Sequence, residues 1–497
     1  MNRTGEQGVA LVFTLFLMAA LSAMAVSMMF LAQTETSASR NYKTMSQARY
    51  AGEAGVHRAL HYLSSTTYTN LVTSTSGFDT SVSPVTYGGN AVVLAPVSSN
   101  SNHPSSTIKA AYAALFSGAS MSVGSGATVT YTATATLLSM RQVTVYGGST
   151  GVVQTWRINA TGTVPGALAA TVDVAALIER DSAPAETYAI FATGAGCGAI
   201  TMSGNVITDS YDSTSMTMSG GTPVTQEFGG AVGTNGNLSI GGQVTVKGNL
   251  DTPRTGVGNC NNGNITALST TGRADVTGDT IRLPQAKTYP SPNAPNPLPP
   301  TTTLGITSST TCLSIVLSFP ATCGGTAGNI IINANGATIS LGNVQMSGGS
   351  TLTINSGLGG APVNFNVNSF SMAGNSSLIL GTGTSVTMNV AGTGVSGDVV
   401  DFTGGALMNA SFDPSKFQIL YAGTGTMKFT GGAQTAATVY APNAGVSMHG
   451  NGNFYGSILS NQFTDTGGAS VHYDRSLGSK FNTLGNHVMS SFSWQKY

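Results

Sequence analysis

Residues 9–32 read VALVFTLFLMAALSAMAVSMMFLA, twenty-four consecutive positions without a formal charge. A helix needs about 20 such residues to cross the hydrocarbon core of a bilayer. The only basic residue before the run is Arg3, in the short hydrophilic lead MNRTGEQG. Cytoplasmic flanks favour Lys and Arg, so this end is expected to stay in the cytoplasm while nearly the whole chain is translocated. The expected location is the inner membrane, with the bulk of the chain in the periplasm and then at the cell surface.

Helical character continues past Ala32. QTETSASRNYKTMSQARYAGEAGVHRALHYL contains no proline, and Met45, Ala48, Gly52, Val56, Ala59 and Leu63 recur at gaps of three or four. Arg49 and Glu53 stand an i,i+4 interval apart, where opposite charges meet on a helix surface. A helix over 9–64 is predicted, a rod of about 84 Å at 1.5 Å per residue. Its outer half carries a narrow stripe of small and apolar side chains, suited to a neighbouring helix or a sheet of the same chain.

A short leader ending in Gly8, then Val9-Ala10-Leu11, the apolar run, and Ala48, Tyr50-Ala51, Glu53-Ala54-Gly55 and Arg58-Ala59-Leu60 beyond it resemble the PilX-type minor pilins of type IV pilus systems. The resemblance covers about the first sixty residues. It implies cleavage by prepilin peptidase between Gly8 and Val9, N-methylation of Val9, and incorporation among other pilins or minor pilins through the helix. One departure stands out. Counting from Val9, the fifth position is Phe13, where major pilins usually carry a glutamate that pairs with a neighbour's terminal amine. A carboxylate within a bilayer is costly and persists where a partner rewards it; Phe13 offers no such pairing. Its absence also resembles the capping K pseudopilin of type II secretion, so a position at or near the tip is expected. Ala23-Met24-Ala25 also fits the A-x-A pattern of a removable secretory leader, and a plain single-span anchor is a further alternative. Neither requires the amphipathic continuation.

Beyond the rod the pattern turns to strands. Ile108–Leu115 reads as a short helix; Val129 to Leu137, Trp156 to Ala160 and Val172 to Ile178 alternate apolar and polar. Turns at Gly147-Gly148-Ser149 and at 162–166 suggest an antiparallel meander with one buried face. From about Tyr188 to Leu477 a pattern apolar-x-apolar-x-Gly-(Gly/Asn) recurs: ITMSGN at Ile200, MTMSGG at Met216, VQMSGG at Val344, FSMAGN at Phe370, MKFTGG at Met427 and VSMHGN at Val446. LSIGGQ at Leu238 and FTDTGG at Phe463 are degenerate copies. Each unit supplies two inward side chains and a corner residue that tolerates positive φ, and stacked units make a β-solenoid. A disordered Gly/Ser/Thr stalk and a jelly roll or sandwich are the competing architectures.

The fold class expected is thus α+β, mainly β: a long N-terminal transmembrane and amphipathic helix, a small antiparallel pilin-like sheet, and a large C-terminal β-solenoid. The expected segments are leader 1–8, helix 9–64 with the membrane span at 9–32, pilin-like β domain 65–187, solenoid 188–283 and 312–477, and tail 478–497. Seven of the eighteen prolines fall between Pro284 and Pro300, so 284–311 reads as a linker or excursion dividing the solenoid. Four cysteines in an oxidising compartment favour disulfides. Cys312–Cys323 is preferred because the intervening SFPAT permits a turn, which leaves Cys197–Cys260.

Only 8% of residues are charged, nineteen basic against nineteen acidic. An ordinary soluble protein carries roughly 25%. With no net field to hold a polyanion, nucleic acid is not an expected partner. Low charge suits a solenoid, because outward positions one above another repel if alike, whereas Thr, Ser and Asn can hydrogen-bond across strands. No CxxC pair or nearby His supports zinc, and no metal or cofactor is expected. Asp209 and Asp212 in TDSYDS are candidates for a carboxylate pair for acid–base work or calcium, and His472, Tyr473 and Asp474 form a polar triplet. Asp and Ser are also ordinary turn residues, and neighbours on a strand point to opposite faces. The expected role is structural rather than enzymatic: filament priming and adhesion to a surface carbohydrate or host ligand. The alternative is a tethered or secreted β-helical carbohydrate-binding or carbohydrate-active protein.

Overall fold

The computed structural model describes residues 6–123, 127–145, 150–166, 169–357, 360–430 and 434–496. The chain is mainly β with a long apolar N-terminal helix. It forms two compact units, one from residues up to Val143, 150–182 and 484 onward, the other from Ala183 to Thr483. Met1–Gly5 of the expected leader and the expected turn at Gly147-Gly148-Ser149 lie outside the described residues.

The first unit is organised by α1, a single helix from Glu6 to Leu63, about 87 Å long at 1.5 Å per residue. Its second half buries Ala48, Ala51, Val56, Ala59 and Leu63 completely, the stripe that the three-and-four spacing defines. These side chains share a core with Trp156, Ile158, Ala160, Val172, Val174 and Ala176. The sheet beneath contains strands Ala127–Thr144, Thr150–Val164 and Ala170–Pro184; the last two are antiparallel, with Trp156 opposite Ile178. Small residues let helix and sheet approach closely. A Cβ on Gly162 would lie 1.9 Å from the Ala48 carbonyl oxygen and 2.4 Å from the Gly52 nitrogen. Gly162 therefore sits inside a strand as a contact point, a correction to its reading as part of a turn. A helix from Ser106 to Phe116 follows the predicted position, with the Ser105 hydroxyl accepting from the Ile108 N–H.

The expected tail is also corrected. Asn482–Lys496 is a strand next to Ala170–Pro184 in the first unit's sheet, and the Arg49 guanidinium lies 4.1 Å from the Trp494 ring centre. The second unit is thus inserted, in chain order, between two strands that are neighbours in the first.

The second unit is a stack of chain turns joined by parallel pairing. One ladder runs Leu304, Val344, Phe370, Val400, Met427, Val446, Phe463, Ile200, Leu238, Leu268. A second runs Ile339, Phe365, Met388, Ile419, Val439, Ile458, Ile190, Val232, Leu250. The repeated hexapeptides are this first ladder: each copy contributes one rung and turns at Gly204 (φ 104°), Gly242 (φ 79°), Asn375 (φ 61°) or Gly450 (φ 82°). MTMSGG is the exception, since Met218–Ser219 pairs antiparallel with Thr222–Pro223 in a small hairpin outside the ladder. The corner glycines of MKFTGG lie outside the described residues. Within the stack, Phe365, Phe370, Phe402, Phe429 and Phe454 form a spine, with successive ring centres 5.5–6.0 Å apart. Asparagines bond between turns, Asn355 to Asn333, Asn368 to Asn343 and Asn389 to Asn366, the uncharged ladders that explain the low charge.

Spatial order is not sequence order. The rung at Phe463 sits on the rung at Ile200, so the two expected parts, 188–283 and 312–477, are one continuous stack that the chain enters in the middle. The Pro-rich segment does not divide the stack but straps its outside. Lys287 N–H donates to Asn235 Oδ1 at 2.8 Å, Tyr289 packs on Phe191 and Tyr440, Asn366 donates to the Pro297 carbonyl at 2.9 Å, and Asn343 donates to the Thr301 carbonyl at 2.7 Å. Those contacts descend the stack from the turn at Asn235 to the turn at Asn343, an extended run that suits residues lacking an N–H. Thr303–Ile306, inside the expected linker, is already a rung.

Candidate functional site

Two places carry chemistry that packing alone does not account for. The first is the leading half of α1. From Val9 to Leu31 the large apolar side chains are exposed throughout, including Leu11, Phe16, Met18, Met28 and Phe30. Phe13 is 73% exposed, and Thr14, Ser27, Thr34 and Thr36 satisfy their hydroxyls on carbonyls three or four residues back. So large an apolar patch on an isolated chain marks an interaction surface.

The second is the seam where residues 186–213 meet 453–476. The stacking places Asp209 directly opposite His472, although the two are 263 positions apart in sequence. His472 Nδ1 lies 2.5 Å from Asp209 Oδ1, and its Nε2 lies 3.2 Å from Asn453 Oδ1. The imidazole packs on Tyr455, whose ring meets Tyr211 and Phe412 edge-on. Burial pushes the Tyr455 and Tyr211 hydroxyls up. Tyr473 points the opposite way, into the core, and donates to the Glu186 carbonyl at 2.8 Å. The Ser457 hydroxyl bonds the Glu186 carboxylate. Asp474 accepts from the N–H groups of Ser213 and Ser476, each at 3.0 Å.

The expected carboxylate pair does not form. Asp209 turns to His472, whereas Asp212 accepts from Thr214 N–H and hydroxyl at its own turn, bonds that lower its carboxyl below the usual range. Asp209, His472, Tyr473 and Asp474 each bond to a group across the seam. Asp209 and His472 are both closed off, so the dyad holds two turns together rather than facing a substrate. Among the described residues no group of three or more His, Cys, Asp or Glu side chains is gathered as a metal site would need.

Among the described residues the buried carboxylates are Glu186, Asp209, Asp465 and Asp474, all on turns that meet at this seam. Asp465 differs from the others. It lies in register between Met448 and Met202, and neither carboxyl oxygen has a hydrogen-bond partner. Desolvation pushes its pKa up to about 8. Glu186, Asn453 and Tyr455 carry no local sequence signal. Asp465 does: it stands third in FTDTGG, where other copies have Met, Phe or Ile.

Disulfides close Cys197–Cys260 and Cys312–Cys323. In comparison with known proteins, residues 326–480 match a family described as a domain of unknown function, DUF7305. That match covers the later turns of the stack and the seam strand bearing His472. No curated protein matches the chain. Among solved structures, the competence-associated pilin ComZ from Thermus thermophilus aligns over 91% of this chain and 98% of its own, at 13% identity and a TM-score of 0.27. A superposition that loose does not bear on the fold.

Proposed function

We propose that this chain is a minor-pilin-like structural protein of a type IV pilus or related pseudopilus, acting in filament priming and surface adhesion. Prepilin peptidase cuts between Gly8 and Val9, Val9 is methylated, and the leading half of α1 passes from the inner membrane into packing with other pilin helices. The observation that carries this reading is the division of labour along one helix. The segment after Met45 packs on the chain's own sheet, while the segment from Val9 to Leu31 is apolar, exposed and, among the described residues, without an internal partner. A removable secretory leader would not need to be one continuous helix with a segment built into a folded core. Phe13 supports a position at or near the tip, since it offers no carboxylate to a neighbour's terminal amine. The stacked second unit is read as a β-solenoid, whose long uncharged faces suit recognition of a carbohydrate or host surface.

Mass spectrometry of filaments sheared from cells tests the proposal. The expected first peptide of the mature chain begins at methylated Val9, and a Gly8→Val substitution should leave the precursor uncut. A mature chain beginning at Val26, or one never recovered with filaments, overturns it.

A further inference from the structure

The end of the stack that begins at Thr303 is closed by a loop whose outer surface is the reverse of what such an end requires. Residues 312–323 are joined by the Cys312–Cys323 disulfide. Ile315 is buried against the core, with Leu317 and both cysteines packed on it. The loop thereby covers the open end of the apolar interior. Terminal turns of stacked folds ordinarily show a polar outer face. Here Leu313 is 97% exposed, Val316 87% and Phe319 96%. The other exposed side chains between Leu313 and Phe319 are small: Ser314 and Ser318.

The surroundings say what kind of partner fits. From Thr288 to Gly397 not one Asp, Glu, Lys, Arg or His occurs. That span includes the loop, Thr303–Ile306 and the strand pairs Thr322–Thr326 with Asn329–Asn333 and Asn329–Asn333 with Thr351–Asn355. A protein partner is selected by charge pairs and directed hydrogen bonds at the rim of the contact, and this end offers no charge for either sign. A lipid headgroup region asks for less: apolar side chains that reach the acyl boundary, and no ionised group to desolvate.

We propose that the Leu313–Val316–Phe319 loop is a membrane-contact tip that inserts into the surface of a zwitterionic lipid bilayer. The geometry fixes the mode. The disulfide and the inward Ile315 hold the loop on the stack, so the three outward side chains enter together. Binding by one copy is weak, on the scale of a single short lipid chain, and becomes effective when several copies act on one surface. Because no charge takes part, contact is insensitive to salt and to anionic lipid. This inference goes beyond the filament reading and stands without it, since it uses only the second unit.

The test uses the full chain anchored through α1 in phosphatidylcholine proteoliposomes, mixed with fluorescent acceptor vesicles of pure phosphatidylcholine, and scores acceptor capture by flotation. Wild-type donors should capture acceptors equally at low and high salt. Donors carrying Leu313→Ser, Val316→Ser and Phe319→Ser, with both disulfides verified by mass spectrometry, should lose capture about tenfold, the loss of a multivalent contact. As a second readout that does not depend on disrupting the loop, Phe319→Trp donors should show indole quenching when only the acceptors contain brominated lipid. Three results overturn the proposal: undiminished capture by the triple variant, no quenching in the Phe319→Trp protein, or capture that requires anionic lipid and disappears in salt. Donor-to-donor association through the loop without acceptors also overturns it, in favour of a second copy as the occupant.

Discussion

Asp465 replaces an inward apolar residue at the seam, and its consequences can be worked out in sign and size. The carboxyl ordinarily titrates near 3.8 and is pushed up to about 8 by desolvation. The folded state therefore binds its proton more tightly than the unfolded chain. Its contribution is fully present below about 3.8, declines as pH rises, and is lost as pH passes through about 8, where it levels off. At roughly 1.4 kcal/mol per pH unit, the decline between pH 5 and 8 amounts to about 4 kcal/mol. Two substitutions isolate the effect. Asp465→Asn removes the titration while keeping shape. Asp465→Met restores the residue found at this place in neighbouring turns and should stabilise the stack at pH 8 by several kcal/mol, because an unpaired carboxylate is replaced by a side chain the site already accommodates above and below. Guanidinium unfolding of the full chain in non-ionic detergent, followed by the β-sheet circular dichroism signal, gives stability across this pH range. The wild-type minus Asp465→Asn difference should fall steadily with pH. A flat difference from pH 5 to 8.5, or an Asp465→Met protein less stable than wild type at pH 8, would refute the account of a strained carboxyl at the seam.

Gly162→Ala forces a Cβ onto the Ala48 carbonyl and should cost about 2–3 kcal/mol, or prevent the first unit from forming; limited proteolysis of the 44–63 segment reads the loss. Phe402→Ala removes a fully buried ring from the middle of the phenylalanine spine. It should cost about 3–5 kcal/mol in the same guanidinium assay, against almost nothing for exposed Phe228→Ala. Reducing Cys197–Cys260, which spans 63 residues, should cost about 4 kcal/mol in the chain-entropy account, seen as a lower unfolding midpoint in the presence of a thiol.

Local periodicity made much of this structure legible. The spacing of Ala48, Gly52, Val56, Ala59 and Leu63 names the face of α1 that is buried, and the hexapeptides name the rungs of one ladder, because both patterns are set within a few residues by helical and strand geometry. The register between rungs is set by contacts hundreds of positions apart, and there the sequence is silent. TDSYDS and VHYDRS each look like turns with polar residues; only the pairing of Thr208 with Val471 brings Asp209 to His472. MTMSGG matches the repeat as well as any copy yet forms a hairpin elsewhere, since a hexapeptide contains no information about whether a rung is available to receive it. Gly162 misleads for a related reason: a glycine demanded by a helix passing over a strand looks, in sequence, like a glycine demanded by a turn. Asp465 was the opposite case, visible as a break in the third position of the repeat.

The mid-stack start of the second unit follows from where the chain must return. If residues 190–477 were stacked in sequence order, the first and last rungs would lie at opposite ends. Ten rungs at about 4.8 Å separate those ends by some 43 Å. The chain nevertheless resumes, after Thr483, in a strand beside the one it left at Pro184, which requires start and finish to be neighbours. Starting in the middle meets that requirement. The first turns build outward to Thr280–Arg282, the Pro-rich strap runs back over the outside to Thr303, and the remaining turns build inward until Phe463 meets Ile200, with the Ala185 N–H on the Phe481 carbonyl at 2.9 Å. The seam is the cost of this route, a place where rungs distant in sequence must find each other. It is also where a chain otherwise poor in charge concentrates its buried carboxylates and its Asp209–His472 pair. Directional polar contacts suit that task, because an apolar rung stacks on any other apolar rung, whereas Asp209 is satisfied only opposite His472.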